Sequence, residues 1–106
     1  MIQNLSPHEV KRLLDTEKNV KLIDVREKWE YEYATIEGAE NIPLSVFVHS
    51  VNKIDNNNKI ILYCHHGSRS YQACSYLVRN GFNDVTNMDG GIDAWADQVE
   101  PSMQRY

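Results

Sequence analysis

Apolar residues along this chain follow two rhythms in turn, one of helical spacing and one of short unbroken runs. Ser6-Pro7-His8-Glu9 reads as a helix start: Ser6 caps, Pro7 suits the first helical position and Glu9 completes a capping box. Val10, Leu13 and Leu14 then lie on one helical face. Residues 20–25 form a short apolar run rich in β-branched side chains and predict a strand. Residues 27–33 predict a short helix bearing Trp29, Tyr31 and Tyr33. Gly38 begins a turn, Asn41-Ile42-Pro43 predicts a short strand stopped by proline, and 44–51 predicts a helix. Asp55-Asn56-Asn57-Asn58 is a polar connection. Lys59-Ile60-Ile61-Leu62-Tyr63 is almost continuously apolar, which suits a central parallel strand. Residues 68–80 predict a helix with Ala73, Cys74 and Leu77 inward and Gly81 just past its end. Residues 85–88 predict a last strand, Gly90-Gly91 a turn, and 92–96 a final short helix.

Strands alternating with helices predict an α/β domain, a central parallel sheet with helices on both faces. No repeat, low-complexity tract or linker divides the 106 residues, so 1–106 reads as one domain. Hydrophobic residues at 42% and charged residues at 25% are a globular mixture. The net charge of -4, with lysines and arginines scattered, argues against nucleic-acid or anionic-membrane partners. Met1-Ile2-Gln3-Asn4 lacks the positive start of a secretory leader, and no apolar stretch approaches a bilayer span. Only two cysteines occur, Cys64 and Cys74, too few for a disulfide framework. They are expected as thiols in a reducing, cytoplasmic setting. Nothing in the sequence asks for an oligomer, so a monomer is expected.

The chemistry concentrates where the central strand ends. Tyr63 is followed by Cys64-His65-His66-Gly67-Ser68-Arg69-Ser70, and a helix begins at once. In parallel α/β folds, sites lie beyond the carboxyl ends of strands. A cysteine there meets unpaired first-turn amides and the positive end of a helix, which stabilise an anion. Its thiol is expected to fall below the free value of about 8.5. Gly67 permits a tight loop that curls amides into a nest. Arg69 adds a positive charge, His65 and His66 add more when protonated, and Ser68 and Ser70 offer hydroxyl donors or a cap. Such a loop suits a small oxyanion or the outer sulfur of a persulfide.

Plainer readings stand beside these. Cys64 as an inert buried thiol is disfavoured by the strand–loop–helix context. Cys74, beside Ala73 and Leu77, reads as core; a resolving partner for Cys64 is the alternative. His65 and His66 are either substrate contacts or exposed loop residues. A metal site is not expected, because two adjacent histidines and one cysteine have the wrong geometry and no distant ligand completes them. Arg69 suits a structural role as well as a substrate contact. Asp24 and Arg26, at a neighbouring strand end, read as a structural ion pair near the site. Trp29, Tyr31 and Tyr33 read as packing, and Trp95 as a core anchor.

At this point the chain resembles the rhodanese (thiosulfate sulfurtransferase) family over almost its whole length. Leu22-Ile23-Asp24-Val25-Arg26 is similar to the family's early strand motif. Ile36-Glu37-Gly38-Ala39-Glu40-Asn41-Ile42-Pro43 is similar to its second motif, with Thr35 where histidine often stands. Tyr63-Cys64-His65-His66-Gly67-Ser68-Arg69-Ser70 is similar to its active-site loop, and Gly90-Gly91-Ile92-Asp93-Ala94-Trp95 to its closing motif. Residues 99–106 are similar to the end of rhodanese domains fused to ubiquitin-activating-like sulfur enzymes.

The resemblance implies ping-pong sulfur transfer. Cys64 takes sulfur from thiosulfate or another persulfide donor and passes it to cyanide, a thiol or a sulfur-carrier protein. His65, His66, Gly67, Ser68 and Arg69 would bind substrate, with Asp24, Arg26 and Ser70 in support. No metal or organic cofactor is implied. Two rivals remain. Cysteine phosphatases and arsenate reductases place five residues between Cys and Arg, whereas four separate Cys64 from Arg69. A non-catalytic rhodanese-like sensor or interaction module would bind or oxidise at Cys64 without turnover.

Overall fold

The apolar run Lys59–Tyr63 is the central strand of the sheet, as its lack of alternating polar positions requires. A computed structural model describes residues 1–106. The strands are β1 (Ile2–Leu5), β2 (Val20–Asp24), β3 (Glu40–Asn41), β4 (Lys59–Tyr63) and β5 (Val85–Met88). The helices are α1 (Pro7–Thr16), α2 (Lys28–Tyr33), α3 (Phe47–Ser50), α4 (Ser68–Arg79) and α5 (Gly91–Gln98). The five strands lie in the order β1-β5-β4-β2-β3, every pair parallel. Register places Asp24 beside Tyr63 and Leu62 beside Asn87, so the ends of β2, β4 and β5 open on one side.

Alternation along β4 divides the core. Ile60 and Leu62 join Ile23, Val85, Phe47 of α3 and Ala73, Cys74 and Leu77 of α4 in one layer. Ile61 and Tyr63 point the other way, to Val10 of α1 and Ile92 and Trp95 of α5. The sheet is therefore covered on both faces. No helix is long and apolar enough to cross a membrane.

The capping box forms as its residue types demand: Glu9 N–H donates to Ser6 Oγ at 3.2 Å, and Ser6 N–H to Glu9 Oε1 at 2.9 Å. Gly81, just past α4, takes the left-handed conformation at φ +92°. Four details depart from the sequence reading. β1 has no alternation to betray it, since Gln3 and Asn4 are both exposed; its pairing with β5 makes it a strand. The stretch 44–51 is not one helix but a 3₁₀ turn at Leu44–Val46, the short α3, and a second 3₁₀ turn at Val51–Lys53. None of the three has a side-chain cap, and Val46, Val48 and Val51 disfavour a continuous helix. α5 begins at Gly91 and runs on to Gln98, beyond the 92–96 its apolar residues mark. Trp29 and Tyr33 are exposed rather than packed inside, and meet the ring of Tyr106 edge-on.

Candidate active site

Cys64 follows the last residue of β4, and the chain needs only His65, His66 and Gly67 to turn into α4. Gly67 makes the turn in the left-handed region, at φ +114°, which other residues rarely adopt. That turn aims two backbone donors at the sulfur. Gly67 N–H lies 3.1 Å from Cys64 Sγ and Ser70 N–H 3.3 Å, with Ser70 Oγ also close by at 3.4 Å. Ser68 and Arg69, in the first turn of α4, have no intrahelical acceptor for their amides. The result is a small concave nest of N–H groups around the sulfur of Cys64, a residue only 1% exposed. Such a nest stabilises negative charge on Sγ or on an atom bonded to it.

The loop is held from behind by α5. Ile92 N–H donates to the Cys64 carbonyl at 2.8 Å and Asp93 N–H to the His65 carbonyl at 3.1 Å. These two bonds fix the first peptide units of the loop against α5. The approach is tight: a Cβ on Gly91 would collide with the Cys64 and His65 carbonyl oxygens. Asn87, at the end of β5, adds a bond from Nδ2 to the Gly67 carbonyl at 3.2 Å. The sequence reading treated Gly90-Gly91 as a turn and did not single out Asn87. The glycine pair was the visible signal; the asparagine had none.

The charged residues are paired with one another rather than aimed at the sulfur. Asp24 and Arg26 form a fully buried fork, Arg26 Nη2 to Asp24 Oδ2 at 2.7 Å and Nε to Oδ1 at 3.0 Å. Burial opposes the Arg26 charge, but the bonds to Asp24 and Tyr106 outweigh it and raise its pKa. Arg26 also donates to the Ala34 carbonyl and to Tyr106 Oη, so the pair braces the wall of the site and neither member bonds Cys64. Arg69 forks onto Glu30 of α2, at 2.8 and 3.1 Å. Burial would raise the Glu30 carboxyl, but hydrogen bonds from Arg69, Tyr106 and the Glu27 amide bring it down to about 2. The Arg69 charge is therefore matched by a carboxylate, the kind of structural bond that its sequence reading placed beside a substrate contact.

Ser68 does not cap α4. The cap is Gly67, and Ser68 is exposed at the first helical position. His65 stacks between His66 and Tyr106, with ring centroids 4.0 and 4.1 Å away. Burial, and then His66, lower its pKa, which disfavours a charge on His65. The structure also brings a distant ligand type to the histidine pair. One ligand atom each from His65, His66 and Asp93 lie within 4.8 Å of one another, although sequence spacing pointed to none. Arg105 holds the Asp93 carboxylate at 2.8 Å, so a cation there would face a guanidinium. Cys74 is buried on the inner face of α4; burial, and then the nearby Cys64, push its thiol up to about 12, as suits a core residue.

The chain's tail closes one side of the mouth. Tyr106 Oη donates to Glu30 at 2.7 Å and accepts from Arg26 at 2.9 Å, and Arg105 bridges Asp93 and Asp97. Glu30 and Tyr106 are functional candidates that sequence reasoning missed, because only folding brings them to Arg69 and Arg26.

A family model for the rhodanese-like domain matches residues 6–98. The chain belongs to the rhodanese-like family. This rhodanese-like chain is 34% identical over 103 residues to the thiosulfate sulfurtransferase GlpE of Pseudoalteromonas translucida, covering 97% of each protein. It is 36% identical over 104 residues to the "Probable adenylyltransferase/sulfurtransferase MoeZ" of Mycobacterium tuberculosis, and spans 26% of that protein's length. The crystal structure of a rhodanese-like domain protein from Staphylococcus aureus superposes with a TM-score of 0.83 at 29% identity, over 98% of both chains. These likenesses place the rhodanese-like chain among sulfurtransferase-type proteins.

Proposed function

We propose that Cys64 carries sulfur as a persulfide. The Cys64 thiolate attacks the outer sulfur of thiosulfate; the new S–S bond forms as the old one breaks, and sulfite leaves with its electron pair. A nucleophilic acceptor then attacks the outer sulfur of the persulfide, and Cys64 departs as thiolate. Cyanide serves as a laboratory acceptor, and a thiol or a sulfur-carrier protein is the acceptor class expected in a cell. A persulfide on a donor protein enters by the same first step. Atoms and charge balance without a metal or organic cofactor.

The convergence of Gly67 N–H and Ser70 N–H on Cys64 Sγ supports this reading above all else. The same nest that holds a thiolate suits the anionic outer sulfur one bond further out. His65, His66, Gly67, Ser68 and Arg69 surround the approach, while Asp24 and Arg26 hold the wall and Ser70 the floor. A phosphatase reading fits less well: its guanidinium would have to face the loop, and Arg69 is turned onto Glu30. The whole chain, 1–106, is read as one working domain.

The test is intact mass after brief exposure to thiosulfate, on the wild type, Cys64→Ser and Cys74→Ser, followed by cyanide and a thiocyanate assay. The wild type and Cys74→Ser are expected to gain one sulfur that cyanide discharges. Cys64→Ser is expected to stay folded and gain none, because a hydroxyl is not ionised at neutral pH. Failure of thiosulfate, polysulfide and a desulfurase persulfide alike to load a folded wild type would leave the binding-module reading in its place.

A further inference from the structure

Ser70 has one hydroxyl proton and three acceptors within reach. Asn87 Oδ1 lies 2.5 Å from Ser70 Oγ, the Gly67 carbonyl 3.2 Å, and Cys64 Sγ 3.4 Å. A hydroxyl donates once, so only one of the three receives the proton. The orientation of the Asn87 amide decides which. Its other end lies 3.2 Å from the Gly67 carbonyl, which can only accept. That end must therefore be the NH₂ group, and the end facing Ser70 must be the oxygen. An amide oxygen 2.5 Å from a hydroxyl takes its proton. Ser70 and Asn87 are both buried, so no water competes for these bonds.

We infer that Asn87 is a positioning residue that withholds the Ser70 hydroxyl proton from Cys64 and thereby keeps the thiolate reactive. With its proton on Asn87, Ser70 Oγ turns lone pairs toward the sulfur. A neutral Cys64 thiol can donate into them; a thiolate cannot gain from them. Stabilisation of the anion is left to the Gly67 and Ser70 amides, which are fixed by the backbone. A third donor would lower the proton affinity of the sulfur further, and nucleophilicity falls with proton affinity, by a Brønsted slope of about 0.4–0.5. Asn87 thus sets the balance between how much thiolate is present and how well it attacks. The inference rests on Cys64 being the reactive sulfur, and it assigns a role to a residue that never touches substrate.

The experiment is the pH profile of Cys64 alkylation by iodoacetamide, followed by mass at the Cys64 peptide, in the wild type, Asn87→Leu, Ser70→Ala and the double variant. This reads the thiol directly and does not depend on sulfur transfer, so failure of the persulfide proposal would leave it interpretable. Asn87→Leu frees the Ser70 proton for the thiolate. Its midpoint is expected to fall by about one pH unit, the size of one hydrogen bond to a charge. Its limiting rate at high pH is expected to drop about threefold. Ser70→Ala is expected to leave the midpoint within a few tenths of a unit, and to cancel the Asn87→Leu effect in the double variant.

A purely structural Asn87 would give the opposite sign: a loosened loop loses amide bonds to the sulfur, and the Asn87→Leu midpoint rises whether or not Ser70 is present. That result overturns the inference. So does a rise of about one unit in Ser70→Ala, which would mean that the hydroxyl already donates to the sulfur. The Ser70→Ala measurement stands even if Asn87→Leu does not fold.

Discussion

Gly91 shows how a single missing side chain can shape a reactive centre from behind. Its backbone lies against the Cys64 and His65 carbonyls and adopts φ +64°. Gly91→Ala is expected to cost about 2 kcal/mol or more, from the left-handed backbone and the forced separation of loop and helix. A urea unfolding curve measures that cost. The proposed sulfur transfer is expected to fall further in the same variant than stability explains, because a loop pushed off α5 would shift the Gly67 amide relative to the sulfur. Residues of this kind were half legible beforehand. Cys64 announced itself by standing between an apolar strand and a helix start, and Gly67 by its place in the loop. Asn87, Glu30 and Tyr106 did not, since each acts on a residue at least 17 positions away in the chain.

Among the elements, α2 is tied to the site by a carboxylate. Glu30 is buried and accepts from Arg69, Tyr106 and the Glu27 amide. Its folded value of about 2 lies below the ordinary 4.5, so the unfolded chain binds the proton more readily. The carboxylate therefore stabilises the fold, by up to about 3 kcal/mol, at pH values above the ordinary one, and that contribution is lost as pH falls from there toward 2. Urea midpoints of the wild type and Glu30→Gln, compared from pH 7 down to pH 3, are expected to differ most at pH 7 and to converge on acidification. Parallel curves would remove Glu30 as the linked group. Element boundaries were readable where local chemistry sets them, as at the Ser6–Glu9 box and the Gly81 stop. They were not readable at β1, which has no face pattern of its own and exists because β5 offers it a partner.

At the scale of the whole molecule, the alternation of short apolar runs with amphipathic stretches was enough to foresee a parallel sheet wrapped on both sides. What it could not foresee was the strand order, because pairing is decided by crossovers and not by any strand's own composition. That order matters for durability. The strand that carries Cys64 at its end has a neighbour on each side, whereas β1 and β3 form the borders. Amide hydrogen exchange is expected to be slowest in β4 and fastest in β1 and β3, with the β4 amides exchanging only when the entire fold opens. Exchange at β4 as fast as at β1 would contradict this. The proposed sulfur loading of Cys64 should then survive fraying at either margin, and heating should abolish it in one step, together with the last protected amides.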